Sequence, residues 1–184
     1  MTKHTDAELR QTLTQLIAGW ENELVEFKNV GDSFSTSEIG KYMTALANEA
    51  NLRDVDTAWL VFGVDNKTRQ IVDSDYRRDR ARLDSLKHQM TEDSSPSICF
   101  REIHEITVNG DRVLMFEIPA APRGIPIGWK GHYYARSGES LGPLSMAKQD
   151  EIRGQTLATD WTAVVVPDAE RRHLSDEAIA KARQ

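Results

Sequence analysis

Thr57-Ala58-Trp59-Leu60-Val61-Phe62-Gly63-Val64 is the stretch that decides the fold, because it is almost continuously apolar. Such a run is typical of a strand that is buried on both faces, which predicts a central strand in a sheet covered by other elements. The following Asp65-Asn66-Lys67-Thr68 predicts a turn. We expect Gln70-Ile71-Val72 to return as the partner strand of a hairpin.

The segments on either side of this strand alternate between helical and strand patterns. Thr5-Asp6-Ala7-Glu8 and Ser35-Thr36-Ser37-Glu38 are capping boxes that predict helix starts. A short strand is predicted from Leu24 to Lys28, and Asn109-Gly110 predicts a tight hairpin. Because hairpins exclude a purely parallel sheet, we expect an α+β domain with a mixed, largely antiparallel sheet and flanking helices. Further helices are predicted at residues 76–90 and 145–153.

Length and composition limit the possible classes of protein. The 184 residues suffice for one domain with an appendage. We expect residues 1–158 to form the domain and residues 159–184 to be a linker leading to regions absent from this chain. The net charge of −6 argues against a protein that coats nucleic acid by bulk charge. No apolar run approaches the ~20 residues of a membrane helix, and no apolar secretion signal is seen, so a cytoplasmic protein without a membrane partner is predicted.

Three carboxylates, those of Glu21, Glu26 and Asp65, are candidates for a site of chemistry. If the chain bends near Asn22, all three can converge, and converging carboxylates hold a hard cation such as Mg²⁺ or Mn²⁺. Spacing alone favours another arrangement, in which Glu26 pairs with Lys28 on one face of a strand while Glu21 is solvated.

Other motifs are less specific. Basic and aromatic residues alternate in the loop 123–130 and in Tyr133-Tyr134-Ala135-Arg136. This mixture suits stacking and backbone contact with a single strand, and equally suits an ordinary loop whose Trp129 packs onto the sheet. The five histidines show no metal-ligand spacing, so no zinc site is predicted. Residues 63–68 lack the glycine pattern of a phosphate loop, which argues against ATP hydrolysis by this chain.

The order of several short motifs resembles a known family. The motifs are Glu21-x4-Glu26-Phe27-Lys28, Ala45-Leu46-Ala47-Asn48, Leu60-x2-Gly63-Val64-Asp65 and Tyr134-x-Arg136-x-Gly138. In this order they resemble the Schlafen/AlbA-type domain described as DNA-binding in bacterial transcriptional regulators, some of which are labelled RecG-like helicases. The resemblance covers roughly residues 16–154. It implies a Schlafen/AlbA-like fold and a module that binds nucleic acid, with DNA favoured over RNA.

The resemblance also implies which residues meet the nucleic acid. Lys28, Lys67 and Arg136 are expected to contact phosphates, with Arg123 and Lys130 as lesser contacts. Phosphate contacts of this kind make affinity fall steeply with salt concentration.

Two alternative functions remain open at this point. Eukaryotic Schlafen proteins include metal-dependent ribonucleases that use two glutamates and one aspartate, and the matching positions here are Glu21, Glu26 and Asp65. The chain would then be an endoribonuclease that holds Mg²⁺ or Mn²⁺. A third possibility is a protein-interaction or homo-oligomerisation module that uses apolar faces of the terminal helices. These faces carry Leu13, Ile17 and Ile179.

Overall fold

The computed structural model describes residues 4–19, 23–155, 175 and 181 of the chain. The helices are α1 Asp6–Ala18, α2 Thr36–Leu52, α3 Arg80–Asp93 and α4 Met146–Gly154. The strands are β1 Val25–Lys28, β2 Thr57–Phe62, β3 Ser94–Ser95, β4 Glu102–Val108, β5 Asp111–Pro119, β6 Gly128–Trp129, β7 His132–Ser137 and β8 Ser140–Pro143. The predicted linker 159–184 lies outside the described residues except at Ser175 and Lys181.

The strands form two sheets of four strands each. The first has the order β1-β2-β5-β4, and the second has the order β3-β6-β7-β8. In the first sheet only β1 and β2 run parallel, while the other neighbours are antiparallel. The predicted central strand β2 has a hydrogen-bonded neighbour on each side, and the predicted α+β class with a largely antiparallel sheet is confirmed.

Local signals in the sequence explain where the helices begin. Thr5 and Glu8 form the reciprocal capping box at the start of α1, with the Thr5 amide donating to Glu8 Oε2 at 2.7 Å. The predicted start of α3 at Tyr76 was wrong, because the helix begins only at Arg80. Asp79 caps it by accepting from the Ala81 amide at 2.9 Å, and Arg77 has a left-handed φ of 39° that excludes a helix there.

Helix α2 is the centre of the larger hydrophobic core. Its residues from Met43 to Asn51 are all buried. One apolar cluster joins the helix to Leu60 and Phe116 of the first sheet and to Trp129 of the second. A Cβ on Gly40 would overlap the Trp129 indole, so a glycine is needed for the ring to lie directly on α2.

Helix α1 covers the other face of the first sheet. Leu9 and Leu13 pack there with Phe27, Val61 and Met115. Leu13 is therefore covered by its own domain and is not an exposed docking face, contrary to the expectation for an interaction module. The companion residue Ile17 is half-buried, and Ile179 lies outside the described residues. Within the described residues, no helix combines the length and apolar character needed to cross a membrane.

Candidate nucleic-acid interface and the charge network beneath it

Glu26 lies on β1 and is only 3% exposed. Its neighbour Phe27 packs against α1, so the alternation of the strand turns Glu26 to the opposite face, toward α2. Glu26 Oε1 accepts from Lys28 Nζ at 2.6 Å, and Oε2 accepts from Arg136 Nη1. The local pairing of Glu26 with Lys28 is thus confirmed. Both carboxylate oxygens face a cation of the protein itself.

Arg136 is the most deeply buried cation of the predicted phosphate-contacting set, with a side chain that is 0% exposed. Its Nη2 donates to the Gly138 carbonyl at 3.2 Å, and its backbone amide donates to Glu49 Oε1 at 3.3 Å. The Tyr134-x-Arg136-x-Gly138 motif therefore ties β7 to β1 and α2. Because the guanidinium has no exposed surface, it cannot reach a phosphate in this conformation.

Glu49 extends the same network and was not singled out from the sequence. Its side chain is 0% exposed, and its carboxylate pairs with Lys148 of α4 and with Arg53 Nη1 at 3.3 Å. Arg53 Nη2 in turn lies 2.8 Å from Glu23 Oε2. Burial acts to raise the pKa of Glu23, but backbone hydrogen bonds and Arg53 outweigh it and lower that pKa.

Asn48 shows why the Ala45-Leu46-Ala47-Asn48 motif ends in an amide. Its Nδ2 donates to the carbonyls of Ile127 at 2.9 Å and Tyr134 at 3.0 Å, while Oδ1 accepts from the Ile127 amide at 2.8 Å. A buried amide that satisfies three backbone groups holds the second sheet and the loop before it against α2. The motif has a structural role at this position.

Asp65 is engaged in its own turn. Its Oδ1 accepts from the amides of Thr68 at 2.8 Å and Lys67 at 3.0 Å and from Thr68 Oγ1 at 3.0 Å. The Thr68 amide is the largest of the contributions that lower the Asp65 pKa. Glu21 lies outside the described residues, so convergence of the three carboxylates stays a prediction. Within the described residues, neither Glu26 nor Asp65 belongs to a three-ligand group close enough to share one metal ion.

Two of the predicted phosphate contacts lie at one edge of the first sheet. Lys28 is the last residue of β1, and the Gly63 amide just beyond β2 donates to its carbonyl at 3.0 Å. Lys28 Nζ lies 4.7 Å from the centre of the Tyr42 ring, and its side chain is 22% exposed. Lys67 is exposed in the turn that follows β2. We refer to Lys28 and Lys67 together as the carboxyl-edge pair, since Lys28 is the last residue of β1 and Lys67 follows the carboxyl end of β2.

Arg123 lies away from this edge, and Lys130 has its own local partners. Arg123 Nη2 lies 2.7 Å from Asp54 Oδ1, and Asp54 precedes the start of β2. A six-residue strand spans about 17 Å, so Arg123 and Lys67 lie at opposite ends of β2. Lys130 pairs with Asp93 at 3.1 Å and lies 5.6 Å from the centre of the Trp129 ring. Arg123 therefore does not share a surface with the carboxyl-edge pair.

Comparison with known proteins places this arrangement in context. A family model described as Schlafen, AlbA_2 matches residues 21–145. A search of the curated proteins found no match. Among solved structures, the DIP2311 protein of Corynebacterium diphtheriae is similar with a TM-score of 0.56 and 19% identity over 95% of this chain. This chain spans only 34% of the length of that protein.

A second solved structure covers less of the fold. It is the N-terminal domain of a Nitrosomonas europaea protein described as related to the ATP-dependent DNA helicase RecG. The TM-score is 0.48 and the identity 23%, over 78% of this chain and 95% of that domain.

Proposed function

This chain belongs to the Schlafen AlbA_2 family, and from that premise we propose that it is a nucleic-acid-binding domain whose partner is DNA. The observation that carries the proposal is the carboxyl-edge pair, two partly or fully exposed lysines at the end of the parallel strands. The N-terminus of α2 begins at the same edge, because α2 connects β1 to β2, and a helix N-terminus adds positive potential there. In the cell, we propose, the domain is the DNA-contacting module of a cytoplasmic bacterial transcription regulator.

The buried charges support binding over cleavage. A carboxylate that holds a metal must turn its oxygens to the ion, whereas Glu26 turns one oxygen to Lys28 and the other to Arg136. Asp65 Oδ1 accepts from three donors of its own turn. In this arrangement Glu26 and Arg136 hold β1 in place, and that strand in turn positions Lys28 at the surface.

Fluorescence anisotropy with labelled single-stranded and duplex DNA, and with RNA of the same sequence, tests the proposal. If two to four phosphates are contacted, affinity should fall roughly 10- to 150-fold between 50 and 200 mM salt. Lys67→Gln should weaken binding and reduce the salt slope by about one. Arg123→Gln is the matched control, because it removes an exposed cation at the other end of β2. Absence of binding at 50 mM salt, or binding indifferent to salt, would contradict the proposal.

The metal-dependent nuclease is the competing function, and the same oligonucleotides test it. Incubation of labelled RNA with Mg²⁺ or Mn²⁺ should give divalent-dependent cleavage if Glu21, Glu26 and Asp65 converge. Glu26→Gln should then abolish cleavage, because an amide lacks the charge that holds a hard cation. Binding without cleavage under both ions would leave the domain a binder.

A further inference from the structure

The face of the first sheet that α1 covers carries a second group of polar side chains. His104 on β4 is opposite Met115, and Glu102 is opposite Glu117 on β5, so His104 and Glu117 are diagonal neighbours on one face. His104 Nε2 lies 2.9 Å from Glu117 Oε2, and each side chain is 11% exposed. The pair is therefore formed by the register of a single hairpin.

His4 reaches the same carboxylate from the other side. It immediately precedes Thr5, whose capping box with Glu8 fixes the path of the chain at the start of α1. His4 Nε2 lies 3.7 Å from Glu117 Oε2, and the His4 and His104 rings are 5.5 Å apart in an edge-to-face arrangement. Two imidazole nitrogens thus face one carboxylate oxygen.

We propose that His4, His104 and Glu117 bind a divalent transition-metal ion, and that Zn²⁺ is the ion their chemistry fits best. One ligand atom from each residue lies within 4.8 Å of the others. Tetrahedral Zn²⁺ with ligands at 2.0–2.2 Å places neighbouring ligand atoms about 3.3–3.5 Å apart. The 2.9 Å and 3.7 Å distances lie on either side of that value, and side-chain rotation would bring the two imidazole nitrogens, which lie within 4.8 Å of each other, to the same spacing. Two histidines and one carboxylate are also a known donor set for zinc.

A neighbouring residue is placed to orient one of the three ligands. Arg101 Nη1 lies 3.7 Å from Glu117 Oε1, the oxygen that does not face the histidines, and donates to Thr57 Oγ1 at 2.6 Å. A residue that contacts the other oxygen of a ligating carboxylate fixes the orientation of that carboxylate. The three side chains line an open cavity of about 1010 Å³, in which five carboxylates outnumber two arginines. Glu102 and Glu105 are paired with cations of the chain, so the ligand set of two imidazoles and one carboxylate, rather than the net charge of the cavity, is what would select a cation.

This site is independent of the proposed nucleic-acid interface. His4 precedes residue 21, where the family match begins, and the cluster lies on the face of the sheet opposite Glu26. A bound ion would join the start of α1 to the β4–β5 hairpin. Since the ion binds the folded chain through residues far apart in sequence, its binding should stabilise the fold.

The experiment uses the chain without any polyhistidine tag. Titration with Zn²⁺ by calorimetry, and with Co²⁺ by visible absorption, should show one ion per chain bound more tightly than about 10 μM. Zn²⁺ should raise the melting temperature, and a chelator should reverse the rise. His104→Gln and Glu117→Gln should each weaken Zn²⁺ binding by more than about 100-fold, since loss of a residue that only supports a ligand costs roughly 10- to 100-fold.

His4→Ala keeps the test decisive if the sheet variants fail to fold, because His4 is 37% exposed and precedes the helix. It should lower the affinity by a similar factor while the apo-protein melts as before. His132→Gln, at an exposed histidine of β7, is the matched control and should leave metal binding unchanged. Weaker binding of Zn²⁺ than about 10 μM, or equal binding by wild type and His4→Ala, would overturn the proposal.

Discussion

The two faces of the first sheet hold polar clusters of opposite character. On the α2 face, the carboxylates of Glu26 and Glu49 are buried at 3% and 0% exposure and are each paired with two cations of the chain. On the α1 face, Glu117 has Arg101 beside one oxygen and two histidines beside the other, next to an open cavity. One face holds charges that the fold has already neutralised, and the other holds groups that can accept an ion.

The difference shows that a buried carboxylate is not by itself a sign of chemistry. An arginine always carries charge and a paired lysine does so at neutral pH, so a carboxylate with a cation on each oxygen stabilises the fold and has no oxygen left for a metal. Histidine is a metal ligand when neutral, and a carboxylate beside it remains available. What separates the two clusters is the group beside the second oxygen, a further cation at Glu26 and two histidines at Glu117.

The largest expected effect comes from breaking the buried network at Glu26. Glu26→Gln should destabilise the fold by about 3–5 kcal/mol, because it removes the charged carboxylate that faces the buried Arg136 guanidinium. Urea denaturation monitored by tryptophan fluorescence measures this loss. Glu38→Gln is the matched control, since Glu38 pairs with Lys41 while 40% exposed and should cost less than ~1 kcal/mol.

A double variant distinguishes the pair from the carboxylate alone. Adding Arg136→Met to Glu26→Gln should recover part of the lost stability, because the buried guanidinium that faced the lost carboxylate is then removed as well. If Glu26→Gln alone leaves stability unchanged, the α2 face is not held by this ion pair. The contrast between the two faces would then be wrong.

Gly40 tests the packing of the second sheet against α2. Gly40→Ala should destabilise the fold by about 1–3 kcal/mol, because the new Cβ overlaps the Trp129 indole, which is buried in the core at 1% exposure and must shift to make room. Gly154→Ala in α4 is the matched control, because no atom lies within 4 Å of its Cβ. It should be neutral or stabilising by roughly 0.5–1 kcal/mol. Equal melting temperatures for the two variants would contradict the close approach.

Much of the fold was predictable because its signals are local. Residues within a few positions of one another determine the N-caps of α1 and α2, the central strand and the Asn109-Gly110 hairpin. The predicted return strand at residues 70–72 forms only a single bridge, Val64 to Ile71. The start of α3 was missed because a left-handed residue and an aspartate cap decided it rather than apolar periodicity.

The candidate sites were harder to predict, because their partners are far apart in the chain. The pair of Glu26 with Lys28 could be predicted from strand alternation, but Arg136 lies 110 residues from Glu26. The hairpin register would have placed His104 diagonal to Glu117, since Val108 is opposite Asp111. No sequence pattern shows that His4 reaches the same carboxylate, because the docking of α1 decides it.

Acid should lower the free energy of unfolding through Glu102, which lines the open cavity. Burial acts to raise its pKa, but hydrogen bonds from Lys87 at 2.7 Å, the Ile103 amide and Arg80 outweigh it and lower the pKa to about 2. A lowered folded-state pKa gives stability that is present above the ordinary value of 4.5 and is lost as pH falls toward 2. Because Glu102 is 40% exposed, the loss should stay below ~1 kcal/mol. Glu102→Gln should make the free energy of unfolding, measured by urea melts, depend less on pH between these values. An unchanged dependence on pH would contradict the lowered pKa of Glu102.

The smallest effect is expected at Arg123, which belongs to neither cluster. Its ion pair with Asp54 joins side chains that are 72% and 86% exposed, so solvent screens it almost completely. Arg123→Gln should change the free energy of unfolding by no more than about 0.5 kcal/mol, and adding salt should not enlarge the difference. Urea melts at low and high salt, with Lys28→Gln as the contrasting variant, measure this. Lys28 is 22% exposed and 2.6 Å from Glu26, so its loss should cost more than that of Arg123. If Arg123→Gln proves as destabilising as Lys28→Gln, burial would not be what separates the contributions of these two ion pairs to stability.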